Sequence, residues 1–116
     1  MTADDVLALA ATARTVHVAP SLKSYLVDLA DATRRHRHLL LGMSPRATLS
    51  LQRVARALAA SRGRAYVTPD DLKELAEPVL AHRLIVTPEA QLQGIRAADA
   101  LHECVASIPV PAPDGA

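Results

Sequence analysis

Three dipeptides, Ser44-Pro45, Thr68-Pro69 and Thr87-Pro88, set where helices in this chain can begin. A hydroxyl side chain accepts a hydrogen bond from the open N–H groups of a first helical turn. Proline suits the next position, because its φ is already helical and its missing N–H would have no partner there. Two of the three starts continue with acids, Asp70-Asp71 and Glu89, and Thr2-Ala3-Asp4-Asp5 follows the same pattern. Acids there match the partial positive charge that peptide dipoles leave at a helix N-terminus. The start at Ser44-Pro45 departs from this rule, because the next residue is Arg46.

Between these markers the apolar residues recur at helical spacing. Of 116 residues, 50% are hydrophobic, yet only two, Tyr25 and Tyr66, are aromatic. Apolar content resting on Ala, Leu and Val favours helices packed through small side chains over a sheet of aromatic and β-branched pairs. A first helix is expected over 3–14 and a second over Ser21–Arg37, with Leu22, Tyr25, Leu26, Leu29 and Thr33 on one stripe. A third, Pro45–Ser61, places Ala47, Leu51, Val54, Ala55 and Leu58 on one face and closes at Gly63. The fourth starts at Pro69 and carries Leu72, Leu75, Ala76, Val79 and Leu80, with Pro78 expected to kink or split it.

Val16-His17-Val18, Tyr66-Val67 and Leu84-Ile85-Val86 read as short extended pieces, and Thr87 to Gly94 as a single turn or irregular loop. A last helix, Ala97–Ser107, should bury Leu101, Val105 and Ile108. The expected architecture is an all-α bundle of four to five helices, a single domain over 1–111 with a disordered tail at 112–116.

Several function classes find little support. The formal net charge is +1, so the whole chain carries no strong attraction for nucleic acid. The densest basic run, Arg34-Arg35-His36-Arg37-His38, has no interleaved aromatics to stack bases. A small helical nucleic-acid-binding module, using that run with Arg53 and Arg56, is the alternative reading. The pairs His36/His38 and His102/Cys104 are two apart and point to different sides of a helix, so no metal site is expected. Cys104 is the single cysteine, which excludes an intramolecular disulfide. With no apolar run near the roughly 20 residues that span a bilayer and no signal-peptide layout, a soluble, cytoplasmic chain is expected. No GxxxxGK[ST] phosphate loop occurs, so this chain by itself lacks the parts to hydrolyse a nucleotide.

Ser44-Pro45-Arg46 is the strongest chemical candidate. A helix N-terminus offers open N–H groups and a positive dipole end, and an arginine in the first turn would act on the same anion. Gly42, just before it, permits a close backbone approach. Ser44 and Arg46 are therefore the candidate phosphate-binding residues.

The segments Y-L-V-D-L-A-D-A-T-R-R-H (25–36), G-M-S-P-R-A-T-L-S-L (42–51), G-R-A-Y-V-T-P-D-D-L (63–72) and V-L-A-H-R-L (79–84) resemble the C-terminal lid domain of MoxR-type AAA+ ATPases. The resemblance runs over about residues 14–111, including the closing S-I-P-V-P, and departs from the common form at Met43, where a small residue is usual. It implies a lid whose nucleotide-binding core lies N-terminal to residue 1, inactive by itself, with ATP as cofactor and magnesium held by the core. It implies that Arg46 is the sensor 2 residue, reaching the γ-phosphate as a catalytic contact. Near the start of the lid the family approaches adenine, which makes Tyr25 and Leu26 candidates there, although periodicity equally places both in the core. The resemblance further implies a ring, typically a homo-hexamer, acting in chaperone-like remodelling or metal-cofactor insertion beside von Willebrand A domain partners.

Overall fold

The computed structural model describes residues 13–111. The helix expected over 3–14, apart from its last two residues, and the tail at 112–116 lie outside them.

Pro20 opens α1 (Pro20–Arg35), which buries Leu22, Tyr25, Leu26, Leu29, Ala30 and Thr33. The helix stops two residues short of the expected Arg37, because His36 takes an extended conformation (φ −69°, ψ 130°). The chain then forms β1 (Leu39–Leu41) and returns at Ser44 into α2 (Pro45–Ser61). Gly63, at φ +72°, turns the chain away after α2, a conformation that residues with a Cβ rarely adopt.

The buried positions of α2 are Ala47, Leu51, Ala55 and Ala59, each four residues from the last. This corrects the expected face: Val54 is 39% exposed and Leu58 only half-buried. A row at spacing four forms a straight ridge along a helix. Three of its four members are alanines, so α3 can pack close against it.

Thr68 opens α3 (Pro69–Leu80) with a reciprocal cap: its hydroxyl accepts from Asp71 N at 3.2 Å while the Asp71 carboxylate accepts from Thr68 N at 2.9 Å. Pro78 does not split this helix, which runs unbroken to Leu80 before a single 3-10 turn, Ala81–Arg83. Its ring falls in the last turn, where few further ladder bonds remain to be lost. Both Pro78 and Glu74, whose carbonyl loses its donor, lie on the exposed side.

The extended pieces find one another. Strand β2 (Ile85–Val86) pairs antiparallel with β1, Leu39 opposite Val86 and Leu41 opposite Ile85. His17 and Tyr66 form a parallel bridge, with His17 N donating to Ala65 O at 2.8 Å and Val67 N to His17 O at 3.0 Å. The helical bundle therefore carries a two-stranded sheet, absent from the sequence expectation, at the α1–α2 crossing. Thr87 caps the short α4 (Pro88–Leu92), and α5 (Ala97–Ser107) follows, burying Ala100, Leu101 and Cys104. Val105 and Ile108 are partly buried against the same core.

The fold is thus mostly helical, with four substantial helices, α1, α2, α3 and α5, around one core. Among the described residues no helix is long and apolar enough to cross a membrane.

Two buried polar side chains interrupt that core, Thr33 and Asp71, at 0% and 1% exposure. Asp71 is held bidentately by Arg64, at 2.7 and 2.6 Å, in addition to its cap bond from Thr68. Arg62 bridges from beside it to Glu74 at 3.1 and 3.0 Å. Burial pushes the Asp71 carboxyl up, but the Arg64 and Thr68 hydrogen bonds outweigh it and hold the group below its ordinary value.

Arg64→Ala would leave the buried carboxylate only its long contact to Arg62, at 3.5 Å, and should cost about 3 kcal/mol in urea unfolding. The depressed folded value also gives a pH signature. Stability from Asp71 is complete above its unfolded value of about 4 and is lost as pH falls through the folded value. Asp71→Asn should be less stable than wild type at neutral pH, and the gap should narrow between about pH 5 and pH 2 in acid titrations of the unfolding midpoint.

Candidate functional site

The approach to α2 is fixed before the helix begins. Gly42 lies so near the end of α1 that a Cβ there would sit 2.7 Å from Arg34 N and 2.8 Å from the Thr33 carbonyl carbon. The close approach that glycine permits is thus to the neighbouring helix backbone. Met43 follows with its side chain 1% exposed. Its N–H donates to Thr33 Oγ1 at 2.9 Å, and its carbonyl accepts from Arg34 Nε at 2.9 Å.

Ser44, extended at φ −81° and ψ 163°, caps α2 by accepting from Ala47 N at 3.1 Å. Thr48 N then begins the helical ladder by donating to Ser44 O. Pro45 has no N–H, which leaves the N–H of Arg46 as the first-turn donor without a partner among the described residues. The Arg46 side chain is exposed and forms no hydrogen bond or ion pair among the described residues. No acid stands in the first turn of α2, whereas Asp70 and Asp71 stand in that of α3 and Glu89 in that of α4. One residue therefore presents both an uncompensated cation and an open backbone donor at the positive end of a 17-residue helix.

Beside this start lies a cavity of about 260 Å³, lined by Gly42, Met43, Ser44 and Ala47 on one side and by Leu41, Arg34 and Arg83 on the other. Its lining includes two arginines and no carboxylate. Arg83 comes from the turn after α3 and reaches α2, donating to Ser50 Oγ at 3.1 Å. The sequence places a helix-terminal cation at Arg83, and its distance along the chain from Ser44 hides its role in this wall. The packing of α3 on α2 and the β1–β2 pairing after the turn bring it there.

The other candidates are placed as follows. Tyr25 and Leu26 are 3% and 1% exposed, both within the core cluster and outside the cavity lining. The Tyr25 hydroxyl is buried without a partner among the described residues, and burial raises its pKa. The basic run at 34–38 is engaged within the fold: Arg34 with Met43, Arg35 with Asp31, and His36 with Glu103 at 2.6 Å. Arg53 is exposed, and Arg56 is half-buried with its Nε shielded and unpartnered among the described residues. Among the described residues, no three His, Cys, Asp or Glu side chains gather closely enough to hold a metal ion.

Known proteins share this sequence pattern and fold. The sequence profile of the AAA lid domain family matches residues 31–104, well over half of the chain. The chain is 36% identical over 108 residues to protein YeaC of Bacillus subtilis, covering 93% of this chain and 34% of that protein. It is 34% identical to protein MoxR of Paracoccus denitrificans, over 83% of this chain and 32% of that protein. It is 39% identical to the chaperone MoxR1 of Mycobacterium tuberculosis, over 74% of this chain and 25% of that protein. A crystal structure from Cytophaga hutchinsonii superposes with a TM-score of 0.81 at 31% identity, over 87% of this chain and 33% of that one. The chain thus spans about a third or less of the length of these relatives. On the family match and on this concordance of sequence and fold, the chain belongs to the AAA lid domain family and is homologous to MoxR-family AAA+ ATPases.

Proposed function

We propose that this lid closes over ATP held by an AAA core of the same polypeptide, with Arg46 as the lid's contact to the γ-phosphate. The observation that carries this reading is the state of Arg46: exposed, unpaired among the described residues, and set at a helix start whose dipole disfavours it. A terminal phosphate would resolve that conflict. It would receive the guanidinium and the open Arg46 N–H together, both as charge-assisted hydrogen bonds. Ser44 supports the contact from behind by capping Ala47, which leaves the Arg46 N–H free to point outward. The residues present therefore fit an anionic phosphate.

ATP supplies the phosphoryl group whose hydrolysis, with magnesium held by the core, drives the cycle. The part of this chain is to bind that phosphate in one nucleotide state and release it in the other. A contact made in one state only biases a rigid-body rotation between two lid arrangements. In a ring, most simply a homo-hexamer, such rotations would be passed between subunits. The work delivered would be chaperone-like remodelling or cofactor insertion, with von Willebrand A domain proteins as partners.

Two measurements test the reading. In the ATPase that carries this lid, Arg46→Ala should lower turnover roughly a hundredfold, the scale for removing one preorganised donor from a developing anion. Wild-type turnover together with unchanged nucleotide-dependent assembly would overturn the assignment. In this chain by itself, Arg46→Glu should instead raise stability by about 0.3–1 kcal/mol in low-salt urea unfolding, because it replaces a cation with an acid in the first turn. Equal or lower stability in that variant would show that the dipole conflict is not there to be resolved.

A further inference from the structure

Arg46 has no partner of its own among the described residues, so the reach of its guanidinium is set by where its backbone stands. That backbone follows directly from one residue three positions earlier, Met43, whose N–H and carbonyl are both held by α1. The Met43 N–H is taken by Thr33 Oγ1 and the Met43 carbonyl by Arg34 Nε, each at 2.9 Å, so two consecutive residues of α1 hold both polar groups of one residue. The Thr33 hydroxyl also donates its one proton to Ala30 O at 2.7 Å, in a site of 0% exposure, so its acceptor side is turned to Met43. Gly42 lies against the same turn of α1, where a Cβ would stand 2.7 Å from Arg34 N. The loop before α2 therefore packs directly on the end of α1, and a shift along it or away from it would break both hydrogen bonds.

We propose that Thr33 and Arg34 are positioning residues for Arg46, fixing the direction in which α2 presents it to the nucleotide. The inference rests on the reading of Arg46 as the γ-phosphate contact. A purely packing role would be served by apolar side chains at the same places, as at the neighbouring core positions Leu29 and Ala30. Instead the end of α1 commits a buried hydroxyl and one edge of a guanidinium to the backbone of Met43, which leads into the Ser-Pro-Arg start. Misplacing a reactive contact by about 1 Å can cost on the order of a hundredfold in rate, so a clamp on this peptide has kinetic consequences.

The test uses the ATPase that carries this lid, in the variants Thr33→Val, Thr33→Ser and Arg34→Ala, each alone and combined with Arg46→Ala. Thr33→Val keeps the shape of the side chain and removes the acceptor, and Thr33→Ser keeps the acceptor. Thr33→Val and Arg34→Ala should lower kcat about tenfold or more while leaving ADP affinity, which involves no γ-phosphate, unchanged. Thr33→Ser should restore most of the rate. In the Arg46→Ala background neither substitution should cause a further loss. A loss of the same factor in both backgrounds, or a parallel loss of ADP affinity, would show a structural role and overturn the proposal. So would wild-type kcat in both single variants when Arg46→Ala itself is impaired. Wild-type kcat in Arg46→Ala would instead remove the underlying reading of Arg46, and the two failures are distinguishable. Arg34 is exposed, so Arg34→Ala decides the matter if Thr33→Val does not fold.

Discussion

Small side chains set how closely the helices of this lid can approach. Ala47, Ala55 and Ala59 on α2, Ala76 on α3 and Ala100 on α5 are all at 2% exposure or less, with Leu51, Leu72, Leu80 and Leu101 filling the spaces between them. A core with no Phe or Trp has little bulk with which to absorb a misfit, and native interiors tolerate few voids. Every departure from regular helix must therefore be held by something directional. Asp71, Thr33 and the two short β pairings supply this, each at a place where the chain changes direction.

The helix starts were legible because their chemistry is local. Ser44, Thr68 and Thr87 each cap as their hydroxyls and following prolines predict, and Gly63 ends α2. Features set by tertiary contact were not legible. Leu84-Ile85-Val86 reads as a short extended run, but nothing within it names Leu39–Leu41 as its partner. Val54 and Leu58 fit the apolar face of α2 by periodicity, yet the row that packs is the alanine-rich one. Asp71 reads as a first-turn acid suited to the dipole. Its burial follows from Arg64, which the turn after Gly63 folds back onto it. Around the candidate site, Arg46 was legible as a breach of the chain's own rule, whereas Arg34 and Arg83 reach the α2 cavity only through the fold.

The contrast among the three capped starts separates stability from function on physical grounds. At α3 the first-turn acid is the most buried charge described and satisfies a cap, an arginine pair and the helix dipole at once. At α4 Glu89 at least matches the dipole. At α2 no acid stands in the first turn to provide any of this, although the same hydroxyl-proline opening caps the helix. A position where local electrostatics and sequence disagree is where a requirement outside the domain is to be sought. The chain's membership of the AAA lid domain family directs that search to an AAA core.

If Arg46 senses a phosphate, what it senses must reach the rest of the lid without being lost in local give. The end of α1 is built for that transfer. Thr33 and Arg34 hold the peptide before α2, and two residues on His36 is bound to Glu103 of α5, an interaction that holds the Glu103 carboxyl below its ordinary value. His102, beside it on α5, meets Glu77 of α3 at 2.9 Å. The exposed pairs among these contribute little stability singly. Their value lies in register, since each fixes one helix against the next. On the proposed reading, a displacement at the start of α2 would be shared by α1, α5 and α3, the mechanical condition for a lid to turn as one body and not to deform around a single arginine.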